Sequence, residues 1–314
     1  MIKKFIPIIL LILIILLFAV RQASGQEFPW LLQYTTNMNS INPAYAGIWD
    51  KSGLMVSTRT DWVGFGGAPL KQQVSYYTPV KNQRSGVNLN IQKTNTGREK
   101  RLFLTGDYSY QIQLDLNHYL RFGLRAGIIN YDNNLTDYQA YPDYIPDPEY
   151  SADVRLYYMS VFGIGAMYFN NDYFISLSLP QVINNTFKVN RDIYSSSQEF
   201  NSIYLSGGYI FHLAQNVHLR PNLLIIETAG KSVYIDAAMM IFFPRNLQLG
   251  VNFSSNGGVC FSGQYSLKNN IKIGYAADYA ITQDIRKYQL GTYEFVVGYS
   301  FSPNKKKYIK PNYF

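Results

Sequence analysis

Past a short apolar leader, strand after strand of this chain alternates apolar and polar residues, and almost nowhere does a helical period replace that alternation. The run near the C-terminal end is the clearest. Tyr293, Phe295, Val297, Tyr299 and Phe301 fall on one face, with Glu294, Val296, Gly298 and Ser300 on the other. Successive side chains of a strand point to opposite sides, so one side of this run is a continuous aromatic and aliphatic stripe. A soluble sandwich can use such a stripe as core. A sheet in lipid must use it, and there only a closed sheet leaves no backbone group unpaired.

Fourteen such runs can be marked. Leu54, Val56, Thr58, Thr60 and Trp62 alternate with Met55, Ser57, Arg59 and Asp61, and Val87, Leu89 and Ile91 with Asn88, Asn90 and Gln92. Leu102, Leu104, Tyr108 and Tyr110 oppose Arg101, Thr105, Asp107 and Ser109; Leu120, Phe122 and Leu124 oppose Arg121, Gly123 and Arg125; Ile271, Ile273 and Tyr275 oppose Lys272 and Gly274. The others lie near 70–80, 158–169, 172–180, 200–211, 217–228, 231–243, 246–254, 258–268 and 290–301. An even count suits a single-chain outer-membrane barrel, whose strands need roughly 9–11 residues to cross. The expected fold is all-β, a transmembrane antiparallel β-barrel of the outer membrane with about 14 strands over residues 53–302.

The N-terminus agrees with export. Lys3 and Lys4 precede an unbroken apolar run from Phe5 to Val20, and Ala23-Ser24-Gly25 supplies the small residues of a cleavage site. The run is shorter than the roughly 20 residues of a spanning helix, which favours a removed signal over residues 1–25 against an uncleaved anchor. Residues 26–52 then form an N-terminal segment ahead of the first strand. Residues 303–314 form a basic tail containing Lys305, Lys306 and Lys307.

Charged residues make up 15% of the chain, below the roughly 25% of soluble proteins, and aromatic residues 16%. The net charge of +8 is scattered, which gives no argument for nucleic acid as a partner. Arg59, Arg101, Arg121, Arg125, Lys272 and Asp278 sit mid-strand, where lipid exposure would cost roughly 2–4 kcal/mol for each Arg or Lys. They are expected to face the lumen or a plug, with Arg101, Arg121 and Arg125 pairing with Asp107 and Asp115. Two long connections, Asn130 to Asp153 and Gln181 to Glu199, are expected on the extracellular side as capping loops or a protein-docking surface.

No catalytic pattern emerges. His118, His212 and His218 have no neighbours in a metal or triad spacing, and no Gly-x-Ser-x-Gly elbow or phosphate-cradling glycine loop occurs. One cysteine, Cys260, excludes an intrachain disulfide framework. Asp132-Asn133-Asn134 lacks the spacing of a calcium loop. No catalytic residue, cofactor or metal is expected.

One block is more specific. Gln33-Tyr34, then Asn42-Pro43-Ala44-Tyr45-Ala46-Gly47, then Arg59, Trp62, Gly64, Phe65, Gly67, Ala68 and Pro69 with Gln72 resemble the PorP/SprF family of type IX secretion membrane proteins. Read as residues alone, Asn42-Pro43 favours a turn, Gly47 a reversal, and Trp62 and Phe65 an interfacial girdle. The Asn42–Gly47 block lies either inside the barrel or at its periplasmic mouth. The resemblance implies a non-enzymatic barrel that helps a secreted passenger, such as a large adhesin or exoenzyme, reach or stay on the surface. It would hold the passenger's C-terminal domain, contact periplasmic peptidoglycan-binding and other type IX components, and sit in outer-membrane lipid. The rival reading is a passive channel or transporter for small or hydrophobic solutes.

Overall fold

A computed structural model describes all residues except 1–30, 50, 81–83, 137–138, 141–144, 147–152, 183–200, 282–288 and 302–314. The expected signal peptide and basic tail therefore lie outside the described residues. Fourteen strands form one closed antiparallel barrel: β1 Gly53–Thr60, β2 Leu70–Pro79, β3 Ser85–Thr96, β4 Glu99–Gln113, β5 Tyr119–Asn133, β6 Val154–Phe169 and β7 Tyr173–Leu179. The circuit continues with β8 Ser202–Tyr209 (resuming as Phe211–Ala214), β9 Val217–Thr228, β10 Tyr234–Phe243, β11 Leu247–Ser254, β12 Gly258–Ser266, β13 Ile271–Ala280 and β14 Thr292–Ser300. Each strand pairs with the next, and β1 closes the ring on β14 in unbroken register from Gly53 opposite Ser300 to Thr60 opposite Tyr293. Closure leaves no sheet edge.

Burial is inverted relative to a soluble protein. On the outward face Leu89, Leu124, Phe162, Ile175 and Phe261 are exposed, Leu124 by 61%. On the inward face Ser57, Asn88, Asp107, Arg121, Arg220 and Glu294 are buried. Only a lipid surround makes that arrangement favourable, since each exposed apolar side chain is then removed from water.

The two rims differ. Connections β2–β3, β4–β5, β6–β7, β8–β9, β10–β11 and β12–β13 are short turns at one rim, whereas 134–153, 180–201 and 281–291 leave the other. Short turns face the periplasm in outer-membrane barrels, so the long connections are extracellular. The first of these begins later than the sequence suggests. Strand β5 runs on through Asn133, because Asn130 to Asn133 continue the ladder with β4 and β6 instead of opening the loop. Strand β1 conversely stops at Thr60. Trp62 takes a left-handed φ of 49°, which ends the alternation two residues early.

A charge placed on the outward face should be costly at mid-depth only. Leu124→Arg should lower barrel stability by roughly 2–4 kcal/mol in urea titrations in lipid vesicles, and Leu116→Arg, in a periplasmic turn, by about 0–1 kcal/mol.

Candidate functional site

The lumen is filled by the chain's own N-terminal segment. Leu31 to Ile48 forms neither a long helix nor a strand but three successive 3-10 turns, Tyr34–Thr36, Met38–Ser40 and Pro43–Tyr45. The third is built by Asn42-Pro43: the Asn42 side chain accepts the Ala44 N–H at 2.8 Å, and Pro43 takes the first position, where no N–H is needed. The turns pair the N–H groups of Thr36, Asn37, Ser40, Ile41, Asn42, Tyr45, Ala46 and Ile48 within the segment, and the surrounding wall must meet much of the rest.

It does so from nearly every side. On β14, Glu294 accepts the Leu32 and Gln33 N–H groups at 2.6 and 3.2 Å. Tyr34 donates to Asp236 on β10 at 2.6 Å. Arg220 on β9 donates to the Thr35 carbonyl at 2.6 Å, and Arg125 on β5 to that of Asn39 at 2.8 Å. Ser178 on β7 holds the Ile41 carbonyl at 2.6 Å, while Asn42 donates to the Ala166 carbonyl on β6 at 3.2 Å. Finally, Arg121 on β5 and Ser109 on β4 both donate to the Ala46 carbonyl, at 2.6 and 2.7 Å. Hydrogen bonds to a charged group contribute roughly 1.5–3 kcal/mol each. Tyr34, Met38, Ile41, Tyr45 and Ile48 add an apolar core against Phe169, Phe174 and their neighbours.

Backbone contact is close where the wall has no side chain. A Cβ on Gly123 would overlap the Pro43–Ala44 peptide, and one on Gly165 the Asn42 side chain. At the periplasmic end Gly47, with φ 58°, packs against Gly86 and the Thr78 carbonyl. Trp49 then packs against Tyr77, ring centroids 4.5 Å apart and planes tilted by 58°, before the chain enters β1.

Above this plug, on the extracellular side, a cavity of about 320 Å³ is lined by Tyr34, Arg59, Asp61, Lys71, Asp236 and Asp278, with Trp62 and Pro69 at its edge. Asp61 receives Arg59 at 2.5 Å and Lys71 at 3.2 Å. Burial alone would raise the Asp61 carboxyl, but the two cations outweigh it and hold it below the ordinary carboxylate range. This lining offers ion pairs, amides and hydroxyls, a chemistry suited to binding.

The residues singled out from the sequence fall into three places. Asn42, Pro43, Ala44, Tyr45, Ala46 and Gly47 are buried in the plug. Arg59 and Pro69 meet at the cavity, while Trp62, Gly64, Phe65, Gly67 and Ala68 form the adjoining β1–β2 loop, and Gln72 points outward from β2. Among the charges, Arg59, Arg121 and Arg125 are brought to the plug or its cavity. Arg101 lies towards the extracellular rim beside Glu99 at 2.5 Å, and Lys272 lies near the periplasmic one. The expected pairing of three arginines with Asp107 and Asp115 needs correction. Arg125 alone pairs with Asp107, at 2.6 Å, whereas Asp115 turns to His118 at 2.7 Å. Arg121 instead spends its donors on Ser109, Gln111 and the Ala46 carbonyl. It could do so because the plug supplies a backbone oxygen that no strand pattern reveals. Glu294, Asp236, Arg220 and Ser178 were missed as plug anchors; their inward parity was the available signal.

A model of the family described as "Type IX secretion system membrane protein PorP/SprF" matches residues 23–299. No curated protein matches the chain. Among solved structures, the chain is similar to the Acinetobacter baumannii outer membrane protein Omp33, at 9% identity, covering 80% of this chain and 99% of that one with a TM-score of 0.48. It is also similar to a TodX deltaS2S3 mutant, a monoaromatic hydrocarbon channel, at 11% identity, with coverages of 83% and 92% and a TM-score of 0.47. A third similarity is to KdgM porin, at 10% identity, with coverages of 80% and 99% and a TM-score of 0.39.

Wedging the plug off its wall should expose it without dissolving the barrel. A cysteine introduced by Ser40→Cys should resist a membrane-impermeant maleimide in an otherwise unaltered chain. It should become reactive when Gly165→Val is added, with heat-modifiable gel mobility preserved; unchanged labelling would mean that the segment accommodates the valine in place.

Proposed function

The chain belongs to the PorP/SprF family of type IX secretion system membrane proteins, and from that premise we propose that it is a sealed outer-membrane docking barrel for a secreted partner protein. It acts by binding, with no turnover chemistry. Its extracellular loops and the Trp62–Pro69 connection receive the C-terminal domain of a large adhesin or exoenzyme, and its periplasmic rim meets peptidoglycan-binding and other components of the secretion machinery.

The observation that carries this reading is the plug. A conduit for solutes needs a continuous lumen, whereas here Leu31 to Ile48 spans it, with hydrogen bonds to β4, β5, β6, β7, β9, β10 and β14. A barrel that is closed by its own chain offers its surfaces instead. The cavity above the plug supports the same reading: it opens beside exposed Trp62 and Phe65, and aromatic side chains flanked by charges are typical anchors for a protein partner.

The test compares surface and secreted proteins of a strain lacking the gene with its parent. Loss of one or two large exported proteins, with general type IX export intact, is the expected result. An unchanged protein profile, together with conductance in planar bilayers that depends on Arg59, Arg101 or Arg125, would establish a channel instead.

A further inference from the structure

His212 and His218 are cross-strand partners on β8 and β9. They lie at the periplasmic rim, beside the short β8–β9 turn, and point inward in step with Arg220 and Asn222. Their Nδ1 atoms face each other at 2.8 Å, with the rings nearly perpendicular. The far nitrogen of His212, Nε2, lies 3.3 Å from Asp172 Oδ1 in the neighbouring β6–β7 turn. The backbone that carries that carboxylate is held in place. The Asp172 carbonyl accepts the Ile210 N–H at 2.6 Å, and Asn170 Oδ1 accepts the Asp172 and Tyr173 N–H groups at 2.8 Å.

The geometry assigns to this pair a site for a borderline divalent cation of the zinc, copper or nickel class. The two Nδ1 atoms lie close enough to share one ion, and the other ring nitrogen of His212 faces the Asp172 carboxylate, the arrangement that fixes ring orientation around bound zinc. Zinc sits roughly 2.0–2.1 Å from each imidazole nitrogen, so tetrahedral binding needs the two nitrogens about 3.3–3.4 Å apart. The pair has to open by only about 0.5 Å from its present contact. His212 is half-exposed, so ion and water reach it.

The proton inventory balances. The Nδ1–Nδ1 contact holds one proton, and an ion bound to both nitrogens displaces it. That proton passes to solvent as the ion binds. Among the described residues no group of three His, Cys, Asp or Glu side chains closes on one ion. Water, or a side chain of a periplasmic partner, completes the coordination.

The chain has three histidines in all, which makes the test clean. The full barrel, purified in detergent without a polyhistidine tag, is titrated with zinc chloride by calorimetry near pH 7.5. One ion per barrel is expected. His212→Ala and His218→Ala should each weaken binding at least about tenfold, and Asp172→Asn by roughly 10- to 100-fold. His118→Ala, at another periplasmic turn, should leave it unchanged. The unmutated barrel loaded with one equivalent of copper(II) should show hyperfine coupling to two imidazole nitrogens in electron paramagnetic resonance, a readout independent of whether any variant folds. Absence of zinc binding, equal affinity in the double alanine variant, or a copper spectrum without two imidazole nitrogens would overturn the site and leave the pair a cross-strand hydrogen bond.

Discussion

The structure depends on one constraint: a membrane barrel puts its polar residues inside, and there each buried charge needs a partner. Asp107, Arg121, Arg220 and Glu294 are all nearly inaccessible, and an uncompensated charge at such a site is strongly destabilising. The wall neutralises itself only in part, as in the Arg125–Asp107 pair. The plug's peptide groups meet part of what remains: its carbonyls accept from Arg121 and Arg220, and its N–H groups donate to Glu294. Plug and lumen are thus complementary halves of one polar network. Neither is well satisfied without the other.

That complementarity is steric as well as electrostatic. Where the plug comes nearest, the wall provides Gly86, Gly123 or Gly165, and a methyl group would collide with the plug backbone at the first two and with the Asn42 side chain at the third. Glycine within a strand weakens the strand. Here the loss is offset by letting two backbones approach and by the hydrogen bonds that follow. The apolar cluster around Tyr45 and Phe174 completes the fit, with the two rings edge to face at 6.2 Å.

Much of this was legible from residue order alone, for reasons that differ by level. The alternation of Leu120, Phe122 and Leu124 with Arg121, Gly123 and Arg125 gives strand, faces and barrel at once, because period and environment are both local properties of a strand. Boundaries were less visible. Strand β5 is prolonged by pairing with β4 and β6, a tertiary effect, and β1 is cut short by the backbone turn at Trp62. The partners of the inward charges were hidden for a further reason. Arg121 was read as half of an ion pair, since sequence shows charged side chains and says nothing of which carbonyl will lie in front of them. The His212–His218 contact was equally unseen, because the five intervening residues fold back into a hairpin only once β8 and β9 pair.

The attachment of Leu32 to Glu294 has a consequence for assembly. These residues are 262 positions apart, and they join the first part of the plug to the last strand of the ring. The same strand must also zip onto β1 to finish the circuit. Contacts of such sequence separation are slow to form. Closure of the ring and capture of the start of the plug therefore fall to the same strand, so the last wall to form is also the one that fastens the interior.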